Sequence, residues 1–107
     1  MPSAAIDRVF QALADPSRRA ILVSLTRGEA AVNDLTGRFD ISQPAVSQHL
    51  ATLKGAGLVT HRREGRRVYY RVVPRGIEPL VDWIAHYRVF WPVHVDRLEK
   101  LLEKMTS

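Results

Sequence analysis

The hydrophobic pattern of this chain changes period twice, and the changes set the order of its elements. Up to Gly57 the apolar residues recur at helical spacings. From 58 to 73 the sequence LVTHRREGRRVYYRVV is rich in β-branched and aromatic residues, and beyond Ile77 helical spacing returns. Apolar residues three and four apart mark one face of a helix. Two β-rich stretches, 58–63 and 67–73, around Glu64-Gly65 mark a hairpin with glycine at its turn.

The helical parts carry their own start and stop signals. Ile6, Val9, Phe10 and Leu13 predict a helix over 4–14. Asp15 before Pro16 predicts a second, because Asp caps a helix and Pro is favoured at its first position. Its apolar face is Ile21, Leu22 and Leu25, and Gly28 ends it. Val32, Leu35 and Phe39 predict a short third helix over 32–39, weakened by Gly37. After the tight connection FDIS, Ser42 as N-cap and Pro44 in the first turn open a fourth helix over 43–55, stopped by Gly55 and Gly57. Pro74 and Gly76 break the pattern after the hairpin. Leu80, Trp83, Ile84, Tyr87, Trp91, Val95, Leu98, Leu101 and Leu102 then predict a long helix over 77–105, kinked or broken near 88–92 by Pro92.

The expected order is α-α-α-α-β-β-α, a mostly helical chain with one β-hairpin (α+β). Its third and fourth helices form a helix-turn-helix, and the hairpin is a wing. A length of 107 residues predicts one domain over 1–107. A domain this small buries about 60–70% of the surface its unfolded chain exposes, so leftover apolar area favours a second subunit. With no cysteine there is neither a disulfide nor a thiolate metal site. MPSAAIDRVF does not read as a secretory signal, and no apolar run reaches the roughly 18 residues of a membrane span, so a cytoplasmic protein is expected.

The fourth helix carries the first functional signal. Val46, Leu50 and Leu53 form its buried stripe. Gln43, Pro44, Ser47, Gln48 and Thr52 are left on the outer or flanking surface, His49 lies at the stripe's edge, and no charge appears before Lys54. A helix entering a major groove needs short or planar polar groups and no carboxylate facing phosphate. Glutamine can pair bidentately with adenine and serine can serve several bases. A polar face can also be no more than a solvated surface, but the hairpin adds a second signal. HRREGRRVYYR sets Arg62, Arg63, Arg66, Arg67 and Arg71 against one glutamate, in a chain whose formal net charge is +5. Arginine suits phosphate forks and narrow minor grooves. A charged edge that blocks strand pairing would not need so many. The candidate DNA contacts are therefore Gln43, Pro44, Ser47, Gln48, His49, Thr52, Lys54, Arg62, Arg63, Arg66 and Arg67, with double-stranded DNA as the partner.

ALADPSRRAIL and ISQPAVSQHLATLKGAGLVTHRREGRRVYYRV together resemble the ArsR family of bacterial repressors over roughly residues 6–75. The resemblance implies a homodimer built on the first and last helices. It also implies operator binding that represses nearby genes and is relieved by a small-molecule, protein or other cue. Carried over by position, Gln43, Ser47, Gln48 and His49 would read DNA, with the wing arginines on the backbone or in the minor groove.

Some members of that family sense metals through two ligand patterns. The thiolate sensors carry Glu-Leu-Cys-Val-Cys-Asp-Leu, whereas this chain reads Glu29-Ala30-Ala31-Val32-Asn33-Asp34-Leu35, with Ala31 and Asn33 in place of the cysteines. The zinc sensors use an Asp-x-His pair and a later His-x-x-Glu or His-x-x-His. Here Asp82 and His86 are four apart, Asp96 follows His94, and Arg97 stands three after His94, so both halves of the pattern fail. No metal or other cofactor is expected. A zinc-responsive repressor using His86, His94 and Asp96 in a non-standard site stays open as an alternative.

The expected dimer surface combines Ile6, Val9, Phe10 and Leu13 with Trp83, Tyr87, Trp91 and Leu98; the aromatic stripe can equally be packing within one chain. An enzyme is not expected, because there is no Gly-rich phosphate loop, no carboxylate cluster and no orienter for Ser47 and His49. A winged helix serving protein contacts alone remains a rival reading. Membrane binding is disfavoured because the basic residues lie on a hairpin and not on an amphipathic helix.

Overall fold

Asp15 and the two arginines that follow it explain how the first two helices are joined. The computed structural model describes residues 4–87 and 92–106, with the side chains of 92–95 and 106 outside that description. Helix α1 is Ala4–Leu13 and α2 is Pro16–Leu25. The Asp15 carboxylate accepts from the backbone N–H groups of Ser17 (2.8 Å) and Arg18 (3.1 Å). The bond from Arg18 is the main reason its carboxyl titrates below the usual range. The arginines work in the other direction. Arg18 donates to the carbonyls of Ala12 (2.8 Å) and Gln11 (2.9 Å), and Arg19 to that of Leu13 (2.6 Å). These are carbonyls at the end of α1 that have no partner inside the helix.

Helix α3, Val32–Phe39, starts where the Ala31 N–H meets the Asp34 carboxylate at 3.0 Å. It ends at Asp40, whose φ of 52° lies in the left-handed region that Asp tolerates better than most residues. Helix α4, Gln43–Gly55, is capped by Ser42, whose Oγ accepts from the Ala45 N–H at 3.2 Å. Val46, Leu50 and Leu53 are fully buried, as their spacing predicts, against a core that includes Ile21 and Leu35.

The two-stranded hairpin forms as expected, and a short strand that the sequence did not suggest joins its sheet. Strand β1 is Ala30–Ala31, β2 is Val59–Glu64 and β3 is Arg67–Val72, in the order β1-β3-β2, all antiparallel. Ala30 pairs with Tyr70, which fastens the wing to the start of α3. Glu64 pairs with Arg67 across a two-residue loop led by Gly65, whose φ of 63° suits a type II′ turn.

The region read as one helix over 77–105 is divided. A 3-10 turn, Pro74–Ile77, leads into α5, Glu78–Ala85, and α6 is Pro92–Thr106. The break anticipated near 88–92 thus begins at Ala85, and Pro92 sits at a helix start, where its missing N–H costs nothing. Gly76 does more than break a pattern. A Cβ there would lie 2.1 Å from the carbonyl oxygen of Gly57, so the turn's backbone rests directly on the α4–β2 junction.

Part of the expected dimer surface is internal. Val9 is fully buried and Ile6 nearly so, because α1 lies against α2, α4 and α5 of its own chain. They are core residues of the protomer and not free to meet a partner. Phe10 and Trp83 remain exposed, with their rings edge to face at 5.2 Å, and Tyr87 lies 4.8 Å from Trp83. Leu13 and Leu98 are half-buried, and Trp91 lies outside the described residues.

Candidate nucleic-acid interface

With Val46, Leu50 and Leu53 turned inward, α4 must present its other face to solvent. Gln43, Pro44, Ser47, Gln48 and Lys54 are exposed, and α4 has no carboxylate. Gln43 and Ser47, like Pro44 and Gln48, are one turn apart and share a face. Thr52 is half-buried and its hydroxyl donates to the carbonyl of Gln48 at 3.1 Å, so that donor serves its own helix. His49 is also half-buried. Its Nδ1 faces Arg18 Nη1 at 3.5 Å, which turns one ring nitrogen toward α2.

The wing divides its arginines between two uses. Alternation along β2 and β3 places Arg62, Glu64, Arg67 and Tyr69 on one face. There Arg62 grips both oxygens of Glu29 and donates to Glu64 at 2.6 Å. Arg67 reaches Asp34 at 3.2 Å. The guanidinium carbons of Arg62 and Arg67 lie 4.8 and 5.3 Å from the centre of the Tyr69 ring. Glu29 and Asp34 therefore hold the hairpin against the start of α3. The electrostatics follow from the contacts. Arg62 holds the Glu29 carboxyl below its ordinary range, and the Glu29 and Glu64 carboxylates raise Arg62 further. The Ala31 N–H, then the Arg67 charge, do the same for Asp34.

Arg63 and Arg66 are exposed and make no ion pair among the described residues. Arg66 stands at the turn. With Gln43 and Asn33 it lines a groove of about 170 Å³ that joins the wing tip to the first turn of α4. Lys54 and Arg63 stand exposed, and the other residues the sequence singled out fall into three groups. Gln43, Pro44, Ser47 and Gln48 form one exposed polar face continuous with Arg66. Arg62 and Arg67 are occupied by Glu29 and Asp34. His49 and Thr52 lie at the margin. Sequence reading missed Glu29, Asp34 and Tyr69 as partners of the wing.

Among the described residues no three metal-ligating side chains come together. His86 Nδ1 donates to the carbonyl of Asp82 at 2.7 Å, and the side chain of His94 lies outside the description. No helix among the described residues is long and apolar enough to cross a membrane.

An exposed polar helix preceded by a short helix and followed by a basic hairpin defines a winged helix-turn-helix domain. The family model for bacterial regulatory proteins of the arsR family matches residues 15–61, from the Asp15 cap into β2. The chain is 49% identical over 74 residues to the HTH-type transcriptional regulator Rv2034 of Mycobacterium tuberculosis, covering 69% of each protein. It is 33% identical over 82 residues to the transcriptional repressor SdpR of Bacillus subtilis, covering 77% of this chain and 91% of that one. The crystal structure of an ArsR family transcriptional regulator superposes with a TM-score of 0.77 at 30% identity, covering 86% of this chain and 95% of the other. This chain belongs to the ArsR family, whose members are DNA-binding transcriptional regulators and not enzymes.

Proposed function

We propose that the protein is a homodimeric repressor that reads an inverted-repeat operator with the first turns of α4 and has no metal switch. The observation that carries this is the carboxylate-free face of Gln43, Ser47 and Gln48, continuous with Arg66, which makes no ion pair among the described residues. Glutamine and serine supply donors and acceptors to base edges, while Arg63 and Arg66 supply charge to phosphate. Repression is supported by the repressor name of the Bacillus relative. The exposed Phe10 and Trp83, with the half-buried Tyr87 beside them, give a second copy an apolar surface to cover. A two-fold dimer sets its reading helices about 34–36 Å apart, or a multiple of that, on the DNA. The absence of a metal switch is supported by Ala31 and Asn33 standing where the family's thiolate sensors carry cysteine.

Mobility shifts of the full chain on the promoter region beside its own gene test the reading. Retention of one inverted repeat against excess random DNA, by a dimer in sedimentation, is the expected result. Equal retention of both DNAs would break it. Zinc titration of the bound complex should leave DNA affinity unchanged; release by zinc would restore the metal-responsive alternative.

A further inference from the structure

We propose that the cleft between the C-terminal end of α2, the base of β3 and α6 binds a small amphipathic carboxylate. The cleft has a volume of about 330 Å³, within the roughly 300–1,000 Å³ typical of small-molecule sites. At about 30 Å³ per water-sized group, that is room for around ten heavy atoms. Its walls are apolar: Leu22 and Leu25 from α2, Leu58, and Ile77 from the 3-10 turn. Leu102 and Met105 close it from α6, and the flexible Met105 side chain is half exposed, free to adjust to a guest.

The rim decides which guest. It carries three charged side chains, Arg27, Glu29 and Arg71. Glu29 is already engaged through both oxygens by Arg62. Arg27 and Arg71 are exposed and make no ion pair among the described residues. An apolar interior with two guanidiniums at its mouth, neither in an ion pair among the described residues, fits a ligand with an alkyl or aryl body and one acidic group, since arginine forks a carboxylate bidentately. A neutral guest would leave both cations unused, and a cationic guest would meet repulsion.

The site is separate from the reading face and need not bind for the operator reading to hold. It does share strand β3 with the wing. Arg71 lies two residues beyond Tyr69, the ring on which Arg62 and Arg67 stack, and its charge already acts on Glu29. A carboxylate drawing Arg71 away from Glu29 acts on the contact that fastens the wing.

The test uses the full chain without DNA, so its failure is distinct from failure of the operator reading. Octanoate, octanol and octylammonium are titrated separately by calorimetry and by amide NMR. Octanoate is expected to bind saturably, with shifts centred on Val72, Ile77 and Leu102. Octanol should bind at least about tenfold more weakly, a difference near 1.4 kcal/mol, and octylammonium not measurably. Arg27→Gln with Arg71→Gln, both surface changes, should reduce octanoate to the level of octanol. Leu102→Trp should block the cleft, with helix content by circular dichroism as its folding control. Equal binding of the three probes, unchanged affinity in the double variant, or shifts centred on Phe10 and Trp83 would each overturn the proposal.

Discussion

In the proposed reading, helix α4 and the wing meet the same polyanion but use polarity in opposite ways. The outer face of α4 is uncharged through Gln48, and the donors of Gln43, Ser47 and Gln48 are turned to solvent. The wing is dense in charge yet spends Arg62 and Arg67 on Glu29, Glu64 and Asp34. A count of basic residues therefore overstates the number available to DNA. Charge that fixes the hairpin's position is not charge offered to phosphate. The comparison therefore predicts that α4 governs sequence discrimination, that Arg63 and Arg66 govern affinity, and that Arg62 and Arg67 govern the wing's geometry.

The largest effect should come from the point where the two regions join. Gly76→Val inserts a side chain where even a Cβ would stand 2.1 Å from the Gly57 carbonyl oxygen. Overpacking of this kind costs about 1–3 kcal/mol, and a contact with rigid backbone belongs at the upper end. Chemical denaturation should show that loss, and specific and random DNA should both bind more weakly. A variant of wild-type stability would mean that the junction does not set the wing against α4.

Next in size is the reading helix itself. Gln48→Ala should lower affinity for the operator by about 2 kcal/mol, the middle of the range for a good bidentate base contact. Affinity for random DNA should stay unchanged. Equal losses on both DNAs would remove the distinction between the two regions.

The wing variants should have smaller and different signatures. Arg66→Gln should weaken operator and random DNA alike and reduce the slope of log affinity against log salt by about one. Arg62→Gln should alter the slope less, and its effect should depend on Glu29. In a double-mutant cycle Arg62→Gln and Glu29→Gln should be non-additive, whereas Arg66→Gln and Glu29→Gln should add. Additivity for both pairs would show that Arg62 acts directly on phosphate.

Much of this arrangement was legible because it is local. Asp15-Pro16 and Ser42 mark helix starts with their own side chains, and Gly65 marks the turn, so α2, α3, α4 and the hairpin fall within a residue or two of their predicted bounds. What escaped the sequence is tertiary. Glu29 and Asp34 each lie 33 residues from the arginine they hold, and no spacing rule links them. Strand parity alone does place Arg62, Glu64, Arg67 and Tyr69 on one face once Gly65 is accepted as the turn. Strand β1 is two alanines, too short for an alternation signal. The helical spacing of Trp83 and Tyr87 continues past Ala85, so periodicity did not reveal where α5 ends. Val9 shows the remaining ambiguity. An apolar helix face looks the same in sequence whether its own chain or a partner covers it.

The smallest effect separates the two regions by acid. Glu29 and Asp34 titrate below their ordinary values in the folded chain, chiefly through Arg62 for the first and the Ala31 N–H for the second. A carboxyl with a depressed folded value contributes stability above its unfolded value and loses it as pH falls through the folded one. The wing's fastening should thus be complete at neutral pH and weaken only below the usual carboxylate range, near pH 4. Both groups are exposed, so the change in global stability should be slight. Amide exchange is the sharper probe. Protection in β2 and β3 should fall with acid while that of α4 holds, since α4 contains no carboxylate and its N-cap is the hydroxyl of Ser42. Raised salt at neutral pH should act in the same direction on the wing, because it screens exposed pairs. Parallel loss of protection in α4 and the wing on acidification would mean that both unfold as one unit and that the carboxylates do not fasten the hairpin separately.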